Sequence, residues 1–289
     1  MIRHVIPVSV REMPLRQYLK RAWPLLPGFA LRDLLKKRDV RRDGARLGGE
    51  DTVRGGDEIA IYAPDKYLLP TVEVLFDDGR LMAAIKPQGL PSLPDADGVG
   101  ADTMQSRLER IHPTARLCHR LDAGTGGVML AALDDETYEQ AYLAFKNHQI
   151  EKHYAALLCR RPKKDKLVLH AYLTKDAAQA NVRVTDTPLP TSKPIETHIR
   201  VTGAQGDFWR VSMSPVTGRT HQLRAHAAHI RCPILGDDRY GDRDINRRYG
   251  MEHRLCLWCE EIGIPEGSPL LRYVGQKFHA ASPEWMEDK

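Results

Sequence analysis

The spacing of apolar positions divides the chain into two regions with different periods. Residues 5–10 alternate as a short strand would, and Pro14-Leu15-Arg16-Gln17-Tyr18-Leu19 opens a helix with Leu15, Tyr18 and Leu19 on one face. From Phe29 to Arg38 the apolar positions 30, 31, 34 and 35 keep helical spacing, so Arg32, Lys36 and Lys37 project away from the buried stripe. Val40 to Arg42, the Asp43-Gly44 turn, and Asp51 to Ile61 with Gly55-Gly56-Asp57 predict short strands joined by tight turns. Pro64 and Pro70 bracket Asp65 to Leu69, which reads as a linker where a helix cannot continue and few contacts need cross.

Beyond the linker, strands dominate. Val72 to Phe76 and Leu81 to Lys86 predict a hairpin around Asp77-Asp78-Gly79, followed by a Pro/Asp/Gly-rich loop from Pro91 to Asp102. Asp122 enters a loop carrying Gly124, Gly126 and Gly127 around Thr125, and the apolar run Val128 to Leu133 follows. This pattern predicts a tight turn feeding a buried strand, with Asp122 at its mouth and glycines that let a ligand approach the backbone. Read alone, the window fits an ordinary Asp in a Gly-rich turn better, since Asp and Gly are the default turn residues. A helix opened by Asp134 or Asp135 places Tyr138, Ala141, Tyr142 and Phe145 at i, i+3, i+4 and i+7, a stripe expected to face the core. Glu151 to Cys159, Ile195 to Thr202 and Phe208 to Ser214 add strands, with a basic turn from Arg160 to Lys166. Thr220 is the expected N-cap of a short helix whose buried edge is Leu223, Ala227 and Ile230.

Composition sharpens this picture in three respects. The 289 residues suggest about two domains. No apolar run approaches the ~18 residues of a membrane span and the first residues lack a signal-peptide core, so a cytoplasmic location is expected. Cysteines 118, 159, 232, 256 and 259 are odd in number and scattered, which suits reduced thiols, and Cys256 and Cys259 read as strand residues facing one side.

Charge is unevenly placed. Residues 1–66 hold 14 Lys+Arg against 9 Asp+Glu; the whole chain holds 43 against 38, and the remainder is balanced at 29 of each. A small basic module on a neutral body suits a polyanion, although a solvated basic surface fits the same count.

Two chemistries compete for the remaining residues. His221, His226, His229 and Asp237 could hold a metal, but their spacing lacks the two ligands at i and i+4 with a catalytic Glu between them. A glycosidase could use Asp122, but its mechanism ordinarily needs two carboxylates and no second one stands out.

Lys86-Pro87-Gln88-Gly89-Leu90, His119-Arg120-Leu121-Asp122 with Thr125 and Gly127, Lys152-His153-Tyr154-Ala155, and Gly218-Arg219-Thr220-His221-Gln222-Leu223-Arg224 with Pro233-Ile234-Leu235-Gly236-Asp237 resemble, in order, the motifs of the RluA family of pseudouridine synthases. The match spans residues 72 to about 285. The order of helices and turns before it, with Arg16, Leu34, Gly44, Gly56-Asp57 and Ile59, resembles the small RNA-binding module named after ribosomal protein S-four.

The resemblance implies an α+β protein. Residues 1–66 would be the RNA-binding module, and residues 67–289 a catalytic domain with a mainly antiparallel, mixed sheet. It implies isomerisation of uridine to pseudouridine in structured RNA, large-subunit ribosomal RNA ahead of transfer RNA, by a monomer without cofactor or metal. Asp122 would be catalytic, with Arg224 as the partner that keeps it ionised. Tyr154 would pack against the target base, and Arg120 would enter the RNA stack as the uridine flips out. In the N-terminal module, Arg32, Lys36 and Lys37 would touch RNA. Rivals are a non-catalytic RNA-binding or ribosome-assembly protein on the same scaffold and, third, a metal-dependent hydrolase. Two positions depart from the family pattern: Gly126 stands where Ser is usual, and Trp258 where His is usual.

Overall fold

A computed structural model describes residues 1–176 and 181–287; the expected catalytic span thus includes residues 177–180 and 288–289, which lie outside the description. Its apolar side chains gather chiefly into two separate cores. The first is built on strand β1 (Ile2–Val5), helices α1 (Leu15–Ala22) and α2 (Gly28–Lys36), and strands β2 (Val40–Arg42), β3 (Ala45–Leu47) and β4 (Glu58–Ile61). The four strands form one antiparallel sheet in the order β1-β4-β2-β3. Leu15, Tyr18 and Leu19 of α1 and Leu31, Leu34 and Leu35 of α2 are buried, as their spacing requires. Arg32, Lys36 and Lys37 are exposed together.

Two expectations in this half are corrected. The strand ends at Val5 and the chain then turns, because Gly55 packs under it: a Cβ on Gly55 would stand 2.4 Å from the Val8 carbonyl oxygen. Only a residue without a side chain fits there. The stretch Asp65 to Leu69 is also no loose linker. Asp65–Leu68 forms a helical turn, Leu68 is fully buried in the first core, and its carbonyl accepts a hydrogen bond from the Trp23 indole at 3.1 Å.

Contacts also return from farther along the chain. Val99 is buried in the first core, the Asp102 amide donates to the Ala22 carbonyl at 2.9 Å, and Arg21 pairs with Asp95 at 2.6 Å and with Asp97. Asp102 in turn holds the buried Arg107 guanidinium through two bonds of 2.7 and 2.8 Å. The Pro/Asp/Gly-rich loop is therefore a strap between the two cores.

The second core lies on an 11-stranded sheet. Its strands are β5 (Val74–Asp77), β6 (Leu81–Lys86), β7 (Gly126–Ala132), β8 (Glu151–Leu158), β9 (Lys166–Asp176), β10 (Asn181–Thr185), β11 (Lys193–Gln205), β12 (Phe208–Pro215), β13 (Leu257–Gly263) and β14 (Lys277–His279), with the short Arg116–Leu117 strand against β7. The main path runs β10-β9-β11-β12-β8-β13-β7-β6-β5. Every pairing is antiparallel except β7 with β13, so the sheet is mixed and mostly antiparallel, in an α+β fold. Every residue of β7 is buried, consistent with a central strand covered on both faces. Strands β9 and β10 are not evident in the pattern: β9 follows directly on the basic turn, and its Leu167-Val168-Leu169 run breaks strict alternation.

Helix α3 (Asp135–Lys146) is capped by Asp134, whose side chain accepts from the Thr137 amide. Its fully buried residues are Thr137, Ala141 and Ala144; of the expected stripe, Ala141 is buried, Tyr138 and Phe145 pack against the core, and Tyr142 does not face it. Tyr138 and Phe145 are half-buried and Tyr142 is 47% exposed. Small residues win the sheet-facing positions because they allow the helix to lie closer to β7. Helix α4 (Gln222–His229) begins after His221, which adopts φ 54, so His221 and not Thr220 is the cap residue. Cys256 precedes β13 and Cys259 lies within it; both are buried, and burial pushes each thiol up to about 12. A spacing of three cannot put two residues on one face of a strand.

The buried Leu68 side chain makes a direct prediction. Leu68→Ala should destabilise the first core by about 2–5 kcal/mol, measured by urea unfolding with Trp23 fluorescence as the local probe. A loss below about 1 kcal/mol would restore the linker reading of this segment.

Candidate active site

The loop that carries Asp122 is held through its backbone at nearly every residue. Ser92 Oγ donates to the Leu121 carbonyl at 2.7 Å and accepts from the Leu121 amide at 3.1 Å. The Ala123 carbonyl accepts from the Gly89 amide at 2.8 Å and from Lys86 Nζ at 3.1 Å. Gln88 Nε2 donates to the carbonyls of Gly124 at 3.0 Å and Leu255 at 2.6 Å, and the Thr125 amide closes the turn on the Asp122 carbonyl at 3.0 Å. The Lys86-to-Leu90 motif is thus a cradle for the Asp122 loop. Lys86 is itself fully buried and also donates to the carbonyls of Leu90 and Pro87. Burial lowers its ammonium to about 7, against the attraction of Asp122.

Two of the loop glycines, Gly126 and Gly127, serve the neighbouring strand, while Gly124 lines the cleft. At Gly127, with φ 113, a Cβ would lie 2.1 Å from the Cys259 carbonyl oxygen, so only glycine permits the parallel approach of β13. Gly126 faces Trp258, its partner in the same register; a Cβ there would meet Trp258 Cζ3 at 2.3 Å. The two departures from the family pattern are therefore one structural pair. An indole occupies the space that any side chain at position 126 would need.

Asp122 is held from below by Arg224, which projects from α4. Arg224 Nη1 donates to Asp122 Oδ2 at 3.2 Å, while Nε and Nη2 grip Asp237 in a bidentate pair at 2.8 Å each. Burial works against the Asp237 carboxylate, yet the Arg224 bonds and the amides of Tyr240 and Arg239 bring it below the usual carboxylate range. Burial also works against the guanidinium, and the two carboxylates outweigh it and raise Arg224. His221 stands on the other side, with Nε2 3.8 Å from Asp122 Oδ1 and Nδ1 2.9 Å from the Tyr240 hydroxyl. Burial lowers its imidazole although Asp122 pulls the other way. Its left-handed backbone is a strained conformation for a non-glycine residue, of the kind that clusters at working sites.

Tyr154 and Lys152, two apart on β8, both line the cleft above Asp122. Burial raises the Tyr154 hydroxyl well above its usual value, assisted by a hydrogen bond to the Cys259 thiol. Lys152 is lowered by burial and has no ion pair among the described residues. Arg120 is exposed at the rim. The cleft therefore brings together Arg120, Asp122, Tyr154 and Arg224. Arg32, Lys36 and Lys37 are not among its lining residues.

Asp237, His221, Lys86 and Lys152 complete the arrangement. All four lie inside motifs quoted from the sequence, and their adjacency to Asp122 required the fold. Of the candidate metal ligands, His226 Nδ1 meets Thr197 Oγ1 at 3.1 Å, His229 meets Asp186 at 2.7 Å, and Asp237 is committed to Arg224.

A mixed, mostly antiparallel sheet with a carboxylate–arginine–carboxylate array at its cleft, Asp237 buried and Asp122 open to the cleft, marks the class. The family model described as RNA pseudouridylate synthase matches residues 80–229. The chain belongs to this family and is an RNA pseudouridine synthase. Among curated relatives, the "Ribosomal large subunit pseudouridine synthase C" of Vibrio cholerae is 30% identical over 267 residues, spanning 85% of this chain and 82% of its own. The Escherichia coli protein of that name is 28% identical over 240 residues, spanning 77% and 74%. The solved structure of Human RNA Pseudouridylate Synthase Domain Containing 1 shares the fold with a TM-score of 0.59 at 23% identity, covering 74% of this chain and 84% of that one.

The Gly126–Trp258 contact is open to a double-mutant cycle. Gly126→Ser should cost about 1–3 kcal/mol by overpacking in the wild-type background and little beside Trp258→His. Equal costs in both backgrounds, read by chemical denaturation, would separate the two positions.

Proposed function

We propose that the enzyme isomerises uridine to pseudouridine in large-subunit ribosomal RNA, with Asp122 as the catalytic carboxylate. The observation that carries the assignment is the Asp122 side chain itself: its loop is fixed through the backbone while its carboxylate, 24% exposed, faces the cleft on the Arg224 guanidinium. Relatives named for the large ribosomal subunit, similar over most of their length, support the RNA class.

In this reading the uridine leaves its stack and enters the cleft, and Arg120 fills the gap, offsetting an unstacking cost of a few kcal/mol. Asp122 acts on the ribose or its leaving base so that the bond from C1′ to N1 breaks. Uracil rotates, C1′ bonds to C5, and the hydrogen on C5 departs as a proton while N1 gains one. The overall change is an isomerisation, so electrons balance without an external oxidant or reductant, which supports action without a cofactor. Tyr154 acts through its ring: a hydroxyl raised so far by burial and engaged with Cys259 is a poor proton donor. Stacking of this kind contributes ~1–3 kcal/mol per base. Asp237 is a positioning residue that orients Arg224.

We further propose that residues 1–66 form an RNA-binding module like that of ribosomal protein S-four, with Arg32, Lys36 and Lys37 at its RNA face, and residues 67–289 the catalytic domain. The exposed basic edge of α2 supports this. No helix among the described residues is long and apolar enough to cross a membrane, and a ribosomal RNA substrate supports a cytoplasmic site of action.

Tritium release from RNA labelled at C5 of uracil tests the reaction. Wild type should release tritium from unmodified ribosomal RNA, Asp122→Asn should release none while still binding, and Tyr154→Phe should keep most of the activity. No release by wild type would overturn the isomerase reading. For the module, reversing the charge of Arg32, Lys36 and Lys37 should flatten the salt dependence of binding by up to ~0.7 in log-log slope per lost single-strand phosphate contact. An unchanged slope would place the RNA elsewhere.

A further inference from the structure

The cleft is larger than one nucleoside needs. Its volume is about 1180 Å³, above the roughly 300–1,000 Å³ usual for a small-molecule pocket. The additional wall belongs to α3, whose Tyr138, Tyr142, Phe145 and Lys146 all line the cleft. These positions follow i, i+4, i+7 and i+8, one stripe along about 12 Å of helix axis. The sheet-facing side is taken by Thr137, Ala141 and Ala144, with Tyr138 and Phe145 half-buried against the same core, so Tyr142 is the ring left on the outer surface. A ring left toward water at the edge of a functional cleft marks a contact surface.

The three rings are engaged to different degrees. Phe145 stacks on His119 with centroids 4.5 Å apart and planes at 21°, which joins the wall to the loop bearing Arg120 and Asp122. Tyr138 is covered by the Arg116 guanidinium, 4.0 Å from the ring centroid. Tyr142, 47% exposed, has the Lys146 ammonium 5.7 Å from its centroid. Cations thus accompany the rings along the stripe. Seven Lys or Arg line the cleft against three Asp, so its charge complements a polyanion and not a neutral or basic protein surface. A sequence-tolerant stacking surface with interleaved cations is the chemistry that binds unpaired nucleotides.

We propose that the outer face of α3 is a stacking platform for the unpaired nucleotides that flank the flipped uridine, with a base on Tyr142 and a phosphate at Lys146. This rests on the reading of the cleft as the isomerase site. The platform extends the footprint of the substrate beyond one nucleotide and favours RNA in which the target lies in a loop or bulge. It contributes to substrate binding and not to the bond-making step.

The test uses the full chain and a fluorescein-labelled oligouridylate at low salt, read by anisotropy. Tyr142→Ala should weaken binding about 5-fold or more without altering the salt slope, and Tyr142→Phe should bind as wild type, because stacking needs no hydroxyl. Lys146→Gln should lower the slope by ~0.7. On labelled ribosomal RNA, Tyr142→Ala should raise KM and leave kcat unchanged. Equal affinities for wild type and Tyr142→Ala, or no binding of the oligomer by wild type, would overturn the platform, and the former would leave the ring to a protein contact. Binding is read without turnover, so that failure is distinct from failure of the isomerase reading, which is absence of tritium release by wild type.

Discussion

The Arg224 guanidinium is the joint on which the site turns. It carries one charge and faces two carboxylates, gripping Asp237 with two bonds of 2.8 Å and reaching Asp122 with a third of 3.2 Å. A buried ion pair compensates its desolvation only when the geometry is good and the remaining polar atoms are satisfied. Here Asp237 also accepts the amides of Arg239 and Tyr240, so the fork has a fixed base. The planar donor set of arginine suits this division of labour; a lysine ammonium has three donors but no planar fork with which to hold one carboxylate bidentately. Helix α4, β7 and the Asp237 turn are all positioned with respect to this one group.

The second constraint is backbone proximity at the parallel β7–β13 pair. Gly127 lets the Cys259 peptide approach within a distance that any Cβ would forbid, and this approach brings β13 under the Asp122 loop. The substitution of Trp for the family's usual His at position 258 then becomes intelligible. The indole needs the volume at position 126, so a side chain there is excluded. The cost is visible as well, since the buried Trp258 indole N–H has no acceptor among the described residues, and an unmade bond of that kind costs about 1–3 kcal/mol.

The strap from residue 95 to residue 102 links the two cores by means more durable than a flexible tether. Val99 enters the first core, Arg21 reaches Asp95 and Asp97, and the buried Asp102–Arg107 pair anchors the strap on the second. Just before the strap, Ser92 holds Leu121 beside Asp122. A route of direct contacts therefore runs from the basic N-terminal region to the Asp122 loop. RNA bound at one end would act on a surface physically connected to the other.

Much of this was legible in the residues. Helical spacing located α1, α2 and α3, and ordered motifs named the carboxylate, the arginine and the tyrosine, because periodicity and local turn chemistry are properties of neighbouring residues. What neighbours could not reveal was which face of α3 turns inward. Alanines and aromatics both fit its apolar stripe, and only the closeness of β7 selected the alanines. Likewise Gly126 and Trp258, 132 positions apart in the chain, read as separate oddities until a parallel strand pair placed one against the other. The chemical identity of the site lies in short segments of sequence. Its shape, the sharing of Arg224 and the aromatic wall were decided by long-range packing, where steric exclusion and burial act between residues that local pattern leaves unrelated.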